Sequence, residues 1–170
     1  ATIKVKSTLT AGLMTVSCWT VGVSTQTVTI QSVAGVAKKL LLIPNPPSAL
    51  DPGLIADGNS AIDITAKVTD ENNNPVQNYA GNVTFGISGA GSWDDGTTES
   101  RNVALNTGIA VIRIKSNQKT GQVIIGCSRT GLDSGTTSVM TVSGPGSKLS
   151  VSVNNPTIKS DGTDESVFSV

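Results

Sequence analysis

The sequence predicts an all-β protein, and three observations support this prediction. Apolar and polar residues alternate with a period of two in several short runs, most clearly at 62–68. Clusters rich in Asn, Asp and Gly, which are typical of turns, separate these runs, as at 70–75 and 94–96. No window of 11 or more residues has the apolar spacing of a helix. Because side chains alternate between the two faces of a strand, each run should form one apolar face and one polar face.

The number of runs narrows the fold class. The clearest predicted strands lie at 62–68, 83–87, 110–115 and 123–127. About seven short strands within about 110 residues is typical of an immunoglobulin-like sandwich. We therefore expect an all-β protein made of immunoglobulin-like β-sandwich repeats.

An internal repeat divides the chain. Residues 1–7 resemble residues 110–116, and the same offset of 109 carries Cys18 onto Cys127. We predict the C-terminal strands of a preceding repeat at 1–36, a complete sandwich at 37–146 and the N-terminal strands of a following repeat at 147–170. The two partial segments are either excerpt boundaries of a longer repeat protein or joints that pair between molecules by strand exchange.

Composition excludes several functions. Lys+Arg 12 balances Asp+Glu 12, so the chain lacks the basic footprint of a nucleic-acid binder. The longest apolar run, 40–44, is too short for membrane insertion. Histidine is absent, which removes the commonest general base, and we predict no enzymatic activity. Ala1 leads directly into a strand-like pattern, so we expect any secretion signal to lie upstream or to have been removed.

The order of motifs suggests a family. An Ala56-Asp57-Gly58 element precedes an alternating strand, an Asn74-Pro75-Val76 turn follows, and then comes Val83-Thr84-Phe85. In this order the chain resembles the bacterial Ig-like group 1 domain of the invasin and intimin type. The resemblance implies a rod-like array that holds a distal binding module away from a cell surface. The loop at 46–55 is longer than that pattern, and the two cysteines replace small or β-branched residues.

The cysteines and the large aromatic residues are predicted to be structural. Cys18 and Cys127 occupy equivalent positions in different repeats, too far apart for a disulfide, and we expect both to be buried thiols. Phe85 and Phe168 follow strand alternation and should lie in the core. Trp93 lies in an end loop where the resembled family buries a large apolar residue.

Aspartates in turns are the candidate metal ligands. Calcium prefers several such oxygens, and the candidates are Asp57, Asp70, Asp94, Asp95 and Asp161. Their spacing matches no EF-hand, and Asp is common in turns, so we predict no metal and no cofactor. The alternative is calcium at a domain junction that involves Asp57 or Asp161. Asn82 begins an Asn-Val-Thr sequon and is a candidate for glycosylation.

Three functions remain open after these exclusions. The first is a stiff structural or adhesive spacer of an extracellular or cell-surface protein such as an adhesin. The second is a subunit of an extracellular filament, sheath or surface layer, with identical chains as partners. The third is an accessory Ig-like module of a secreted polysaccharide-degrading enzyme. In each case the expected partners include neighbouring repeats of the same chain, and no nucleic acid.

Overall fold

The computed structural model describes residues 2–46, 53–146 and 148–169, within which there are thirteen β-strands and no helix. The strands are β1 (Gly12–Thr20), β2 (Val23–Ser32), β3 (Lys39–Asn45), β4 (Leu54–Ile55), β5 (Ala61–Thr69), β6 (Gly81–Gly89), β7 (Gly91–Trp93), β8 (Arg101–Leu105), β9 (Ile109–Ser116), β10 (Gly121–Arg129), β11 (Leu132–Val142), β12 (Ser152–Val153) and β13 (Phe168–Ser169).

Strands β3 to β11 form a sandwich of two layers. One layer has the order β7-β9-β5-β3, and the other has the order β11-β10-β6-β8 with β4 paired to β11. The strand pairs within each layer are antiparallel, except that β4 runs parallel to β11. A parallel contact between Lys39 of β3 and Asp133 of β11 joins the layers into one hydrogen-bonded path. The prediction of an all-β, immunoglobulin-like sandwich is confirmed.

The core lies between the two layers and follows the alternation of the sequence. In β5 the residues Ile62, Ile64 and Val68 point inward and are at most 2% exposed. Their neighbours in β9 are in register, with Ile64 opposite Ile112 and Ile62 opposite Ile114. The facing layer contributes Val83, Phe85, Val123, Ile125, Cys127 and Val139. Each fully buried large aliphatic or aromatic side chain stabilises the fold by roughly 1.5–3 kcal/mol relative to exposure.

A separate hairpin, β1–β2, precedes the sandwich. Met14 lies opposite Ile30 and Val16 opposite Val28, so these four side chains form one apolar face. Val28 remains 57% exposed and Ile30 43% exposed. Within the described residues no strand pairs with this hairpin besides its own two.

Two residues expected in a core are exposed. Cys18 was expected to be buried but is exposed, because the described strands leave its face of β1–β2 uncovered. Phe168 is 69% exposed because β12 and β13 form a small pair on which none of the other described strands packs. The local alternation is present in both places, but burial also requires a facing sheet.

Part of the long loop expected at 46–55 lies outside the described residues. Across the described ranges, the structure contains no helix with the length and apolarity needed to cross a membrane.

Candidate interdomain interface

The turn that joins β5 to β6 closes around the carboxylate of Asp70. The Oδ1 atom of Asp70 accepts hydrogen bonds from the backbone amides of Asn72 and Asn74, each at 2.9 Å. Asn73 adopts a φ of 67°, a left-handed conformation that Asn tolerates better than most residues. Pro75 then forms a bridge to Thr69, which ends the turn. The Asp and Asn residues of this segment therefore form the turn by bonding their own backbone.

The second carboxylate oxygen of Asp70 binds the linker between β2 and β3, residues 33–38. Its Oδ2 atom accepts hydrogen bonds from the amide of Gly35 at 2.8 Å and from Nδ2 of Asn74 at 2.9 Å. Asp70 is only 4% exposed. The Asn74 side chain, followed by the Gly35 amide, lowers the pKa of Asp70 to about 2 from its ordinary 3.8. Asp70 is therefore a nearly buried anion whose partners come from both sides of the junction.

Asn74 holds the segment that precedes the hairpin. Its Oδ1 atom accepts a hydrogen bond from the amide of Ala11, and its Nδ2 atom donates one to the carbonyl of Leu9, both at 2.8 Å. The side chain is nearly buried, so losing these bonds would leave polar groups poorly solvated. Together, Asp70 and Asn74 bind the segments on either side of the hairpin at three backbone groups.

A cleft lies beside this contact. It has a volume of about 540 Å³ and is lined by residues 11–12, 31–35 and 75–78. Ala34 and Ala37 of the linker pack against the sandwich core. The turn at 70–76, which we call the junction turn, and the linker thus form a continuous interface between hairpin and sandwich.

The comparisons with known proteins identify the sandwich. The family described as glycoside hydrolase family 2 C-terminal domain 5 matches residues 49–138. The chain belongs to this family. Since the match covers most of the sandwich, the resemblance to the invasin and intimin type holds only for the immunoglobulin-like fold, and the family itself is a different one.

Solved structures agree with this domain at the level of the fold. A β-glucuronidase from glycoside hydrolase family 2 superposes with a TM-score of 0.57 at 21% identity, over 78% of this chain and 14% of that one. A glycosyl hydrolase family 2 member from Bacteroides cellulosilyticus gives 0.56 and 20%, over 77% and 17%. A β-glycosidase from Bacteroides vulgatus gives 0.55 and 18%, over 77% and 17%. The chain thus spans about a sixth of these enzymes. No curated protein matches it.

Two other candidate aspartates of this family 2 C-terminal domain bond chiefly within their own loops. Asp57 accepts hydrogen bonds from the amides of Ser60 and Asn59, which lower its pKa to about 2, and a further one from the hydroxyl of Ser116. Hydrogen bonds from the backbone and side chain of Thr97, and then from Arg101, lower the pKa of Asp95 to about 2.

The two remaining candidates are also accounted for. The pKa of Asp161 is lowered, chiefly by the amide of Thr163. Asp94 lies 3.8 Å from Arg113. Among the described residues, no three His, Cys, Asp or Glu side chains are grouped so as to hold a metal ion. The calcium alternative stays a prediction.

The residues predicted to be structural occupy distinct places. Phe85 and Trp93 are fully buried, and Nε1 of Trp93 donates a hydrogen bond to the carbonyl of Glu99 at 2.7 Å. Cys127 is buried, and this burial raises the pKa of its thiol to about 11. Asn82 is exposed on β6, where its glycosylation remains a prediction.

The role of Asn74 in the junction was not found from the sequence. In the sequence, the Asn-rich segment at 70–75 predicts only a turn, and the structure has a turn at this place. The partners of Asn74 lie 63 and 65 residues upstream, and no local pattern connects positions so far apart.

Proposed function

We propose that this chain is a non-catalytic β-sandwich module of a glycoside hydrolase, which it serves as an accessory domain that sets spacing and orientation. The observation that carries the proposal is the family match over residues 49–138. This match favours the accessory-module interpretation over the adhesin and filament interpretations, which draw no support from it. An extracellular location and a polysaccharide substrate for the whole enzyme are part of the proposal.

The direction in which the pKa of the carboxyl groups is shifted supports a non-catalytic role. Glycoside hydrolysis commonly uses two carboxyl groups, one of which is a general acid with a raised pKa. Among the described residues, the carboxyl groups with a shifted pKa are Asp57, Asp70, Asp95 and Asp161, and in each the pKa is lowered. Their hydrogen bonds stabilise the ionised form, whereas a general acid must stay protonated near neutral pH.

The mechanism of such a module is mechanical. The sandwich has a continuous core, and the junction turn bonds the upstream segment through Asp70 and Asn74. A rigid body with a nearly buried polar contact at its end transmits orientation better than a flexible linker does. In the proposed enzyme, this chain would hold its neighbours at a set distance and angle.

Activity assays test the non-catalytic role. The chain is incubated with nitrophenyl β-glucuronide, β-glucoside and β-galactoside, and release of nitrophenol is followed. We expect no release above the rate in buffer. Hydrolysis that persists after heat denaturation would not come from a folded active site, whereas hydrolysis that co-purifies with the folded chain through successive columns and is lost on denaturation would contradict the proposal.

The complete polypeptide that contains this chain tests the accessory role. We expect a glycoside hydrolase domain in the same polypeptide, and deletion of residues 37–146 should lower its thermal stability while leaving kcat for a nitrophenyl glycoside unchanged. An outer-membrane barrel or a lectin-like domain without a hydrolase would overturn the accessory role and favour the spacer of a surface protein.

A further inference from the structure

Two hairpins of the structure share one pattern of pairing. Hairpin β1–β2 and hairpin β10–β11 have the same register when 109 is added to each residue number. Gly12 pairs with Ser32 as Gly121 pairs with Thr141; Met14 pairs with Ile30 as Val123 pairs with Val139; and the register shifts between Cys18 and Thr20 as it does between Cys127 and Arg129. The two hairpins thus share both the pairing of their residues and the place where the register shifts.

The side-chain hydrogen bonds at the open end of each hairpin also correspond. The hydroxyl of Ser32 donates to the carbonyls of Thr10 and Gly12, at 3.3 and 3.1 Å. The hydroxyl of Thr141 donates to the carbonyls of Lys119 and Gly121, at 2.9 and 3.0 Å.

A further hydrogen bond in the loop before each hairpin also corresponds at the offset of 109. The amide of Thr10 donates to Oγ1 of Thr8 at 3.4 Å, and that of Lys119 donates to Oδ1 of Asn117 at 2.9 Å. The correspondence therefore covers residues 8–32, including the loop before β1.

The apolar faces correspond too, but only one is covered. In β10–β11, Val123, Cys127 and Val139 are at most 2% exposed, because the layer of β3, β5 and β9 packs on them. The equivalent face of β1–β2 has Met14, Cys18 and Ile30, of which Cys18 is exposed and Ile30 is 43% exposed. Because the exposed face of β1–β2 has this composition and register, it is suited to packing against a second layer like the one that covers β10–β11.

We propose that residues 8–32 are the closing hairpin of a preceding immunoglobulin-like sandwich, and that the junction turn is the surface on which that sandwich docks. The occupant of the exposed face of β1–β2 is a sheet equivalent to β3, β5 and β9. This inference does not depend on the proposed link to a glycoside hydrolase.

The contacts at the junction turn explain why such docking would set an orientation. Asn74 binds the carbonyl of Leu9 and the amide of Ala11, in the loop before β1, while Asp70 binds the amide of Gly35, after β2. The two attachments lie on either side of the hairpin in sequence. A hairpin held on both sides cannot swing about a single linker, so the sandwich to which it belongs would be fixed as well.

A chain extended at its N-terminus tests the missing layer. A second copy of residues 37–109 is placed before Ala1, so that Ala1 takes the position of Ala110 and the repeat stays in register. The labelling rate of Cys18 by iodoacetamide is measured by mass spectrometry. We expect the rate to fall to the range of Cys127. Continued reactivity of Cys18 at its rate in the unextended chain, whether or not the added copy folds, overturns the proposal.

A matched control carries Ile64→Asp in the added copy only. A charged residue at this fully buried position prevents the layer from packing. Cys18 should then remain as reactive as in the unextended chain. Protection of Cys18 in this control would mean that the added segment shields it without forming a sandwich, and would count against the proposal.

The docking surface is tested in the unextended chain by hydrogen exchange. Asn74→Ala removes both bonds to the loop before β1, whereas Asn72→Ala changes an exposed residue of the same turn and is the control. We expect Asn74→Ala to speed exchange of the Ala11 amide about tenfold, with the amides of β5 unchanged. An Ala11 exchange rate equal to that of the control would overturn the docking role of the turn.

Discussion

At the scale of single residues, the two tryptophans show that residue type alone does not determine burial. Trp93 is fully buried with its ring nitrogen bonded to Glu99, while Trp19 is 74% exposed. We expect Trp93→Ala to lower the free energy of unfolding by about 3–5 kcal/mol, because it leaves a large cavity. Trp19→Ala is the control and should change it by less than about 0.5 kcal/mol. Urea unfolding measures both, and equal effects would contradict the packing described above.

Gly108 is a residue that no other type can replace without strain. Its φ is 75°, and an added Cβ would overlap the carbonyl of Val76. We expect Gly108→Ala to destabilise the sandwich by about 3 kcal/mol in urea unfolding, because it combines left-handed strain with a backbone clash. The control is Gly126→Ala in β10, where a Cβ meets nothing within 4 Å. A destabilisation as large in this control would show that the loss comes from the added methyl group in general.

The ionisation of Asp70 makes part of the free energy of unfolding depend on pH in the acid range. Its pKa is about 2 in the folded chain and 3.8 ordinarily, so the ionised form is favoured by folding. This contribution is fully present above about pH 4 and is lost as the pH falls through the folded pKa of about 2. We expect the stability difference between the wild type and Asp70→Asn, measured by urea unfolding, to shrink from pH 5 to pH 2. Asp57 and Asp95 are common to both proteins and cancel. A difference that is constant over this range would contradict the role given to the carboxylate.

At the scale of elements, the two hairpins contain the same residue type in two environments. Cys18 is exposed, and Cys127 is buried with a thiol pKa raised to about 11 by that burial. Because the thiolate is the reactive form, iodoacetamide at pH 8 should label Cys18 readily and Cys127 only after unfolding. Mass spectrometry of native and urea-treated chain measures this. Equal labelling of both cysteines in the native chain would show that β10–β11 is not covered as described.

Element prediction succeeded where an element has its own alternating pattern. The run at 62–68 lies in β5, and the run at 110–115 lies in β9, and each strand extends the run by one residue at each end. β4 and β7 have two and three residues, too few for a period to be recognised, and they exist because Leu54 pairs with Thr141 and Trp93 with Ile114. Short strands of this kind are set by their partners.

At the scale of the whole molecule, the chain should unfold in parts. The sandwich from β3 to β11 has one core, while β1–β2 and β12–β13 contribute no residue to it. We expect the first cuts of limited proteolysis to lie outside residues 37–146, and not within 60–130, because cleavage requires local unfolding and the sandwich core resists it. Mass spectrometry of the first fragments measures this. An early cut within 60–130 would contradict the division at 36 and 146, which the sequence predicts from its repeat.

The family assignment also belongs to the scale of the whole molecule. The motif order suggested the invasin and intimin type, but sandwich folds share turn and alternation signals whatever their function, so the order supports only the immunoglobulin-like fold. The match to the family 2 C-terminal domain over 49–138 then replaced the more specific expectation of an invasin-type domain. The physics of alternation determines a fold class and carries little information on which enzyme or surface protein uses it.

Local sequence is enough to predict which side of each strand is apolar, where the turns lie and that the fold is an all-β sandwich, because alternation and turn chemistry are local. Which apolar faces are covered, and what the junction turn binds, depend instead on tertiary contacts. Cys18 and Cys127 have similar local sequence, yet one is exposed and the other buried. Asp70 and Asn74 form a turn locally, while their outer atoms bind residues 9, 11 and 35. Burial and docking depend on segments far apart in the chain, so no local pattern contains them.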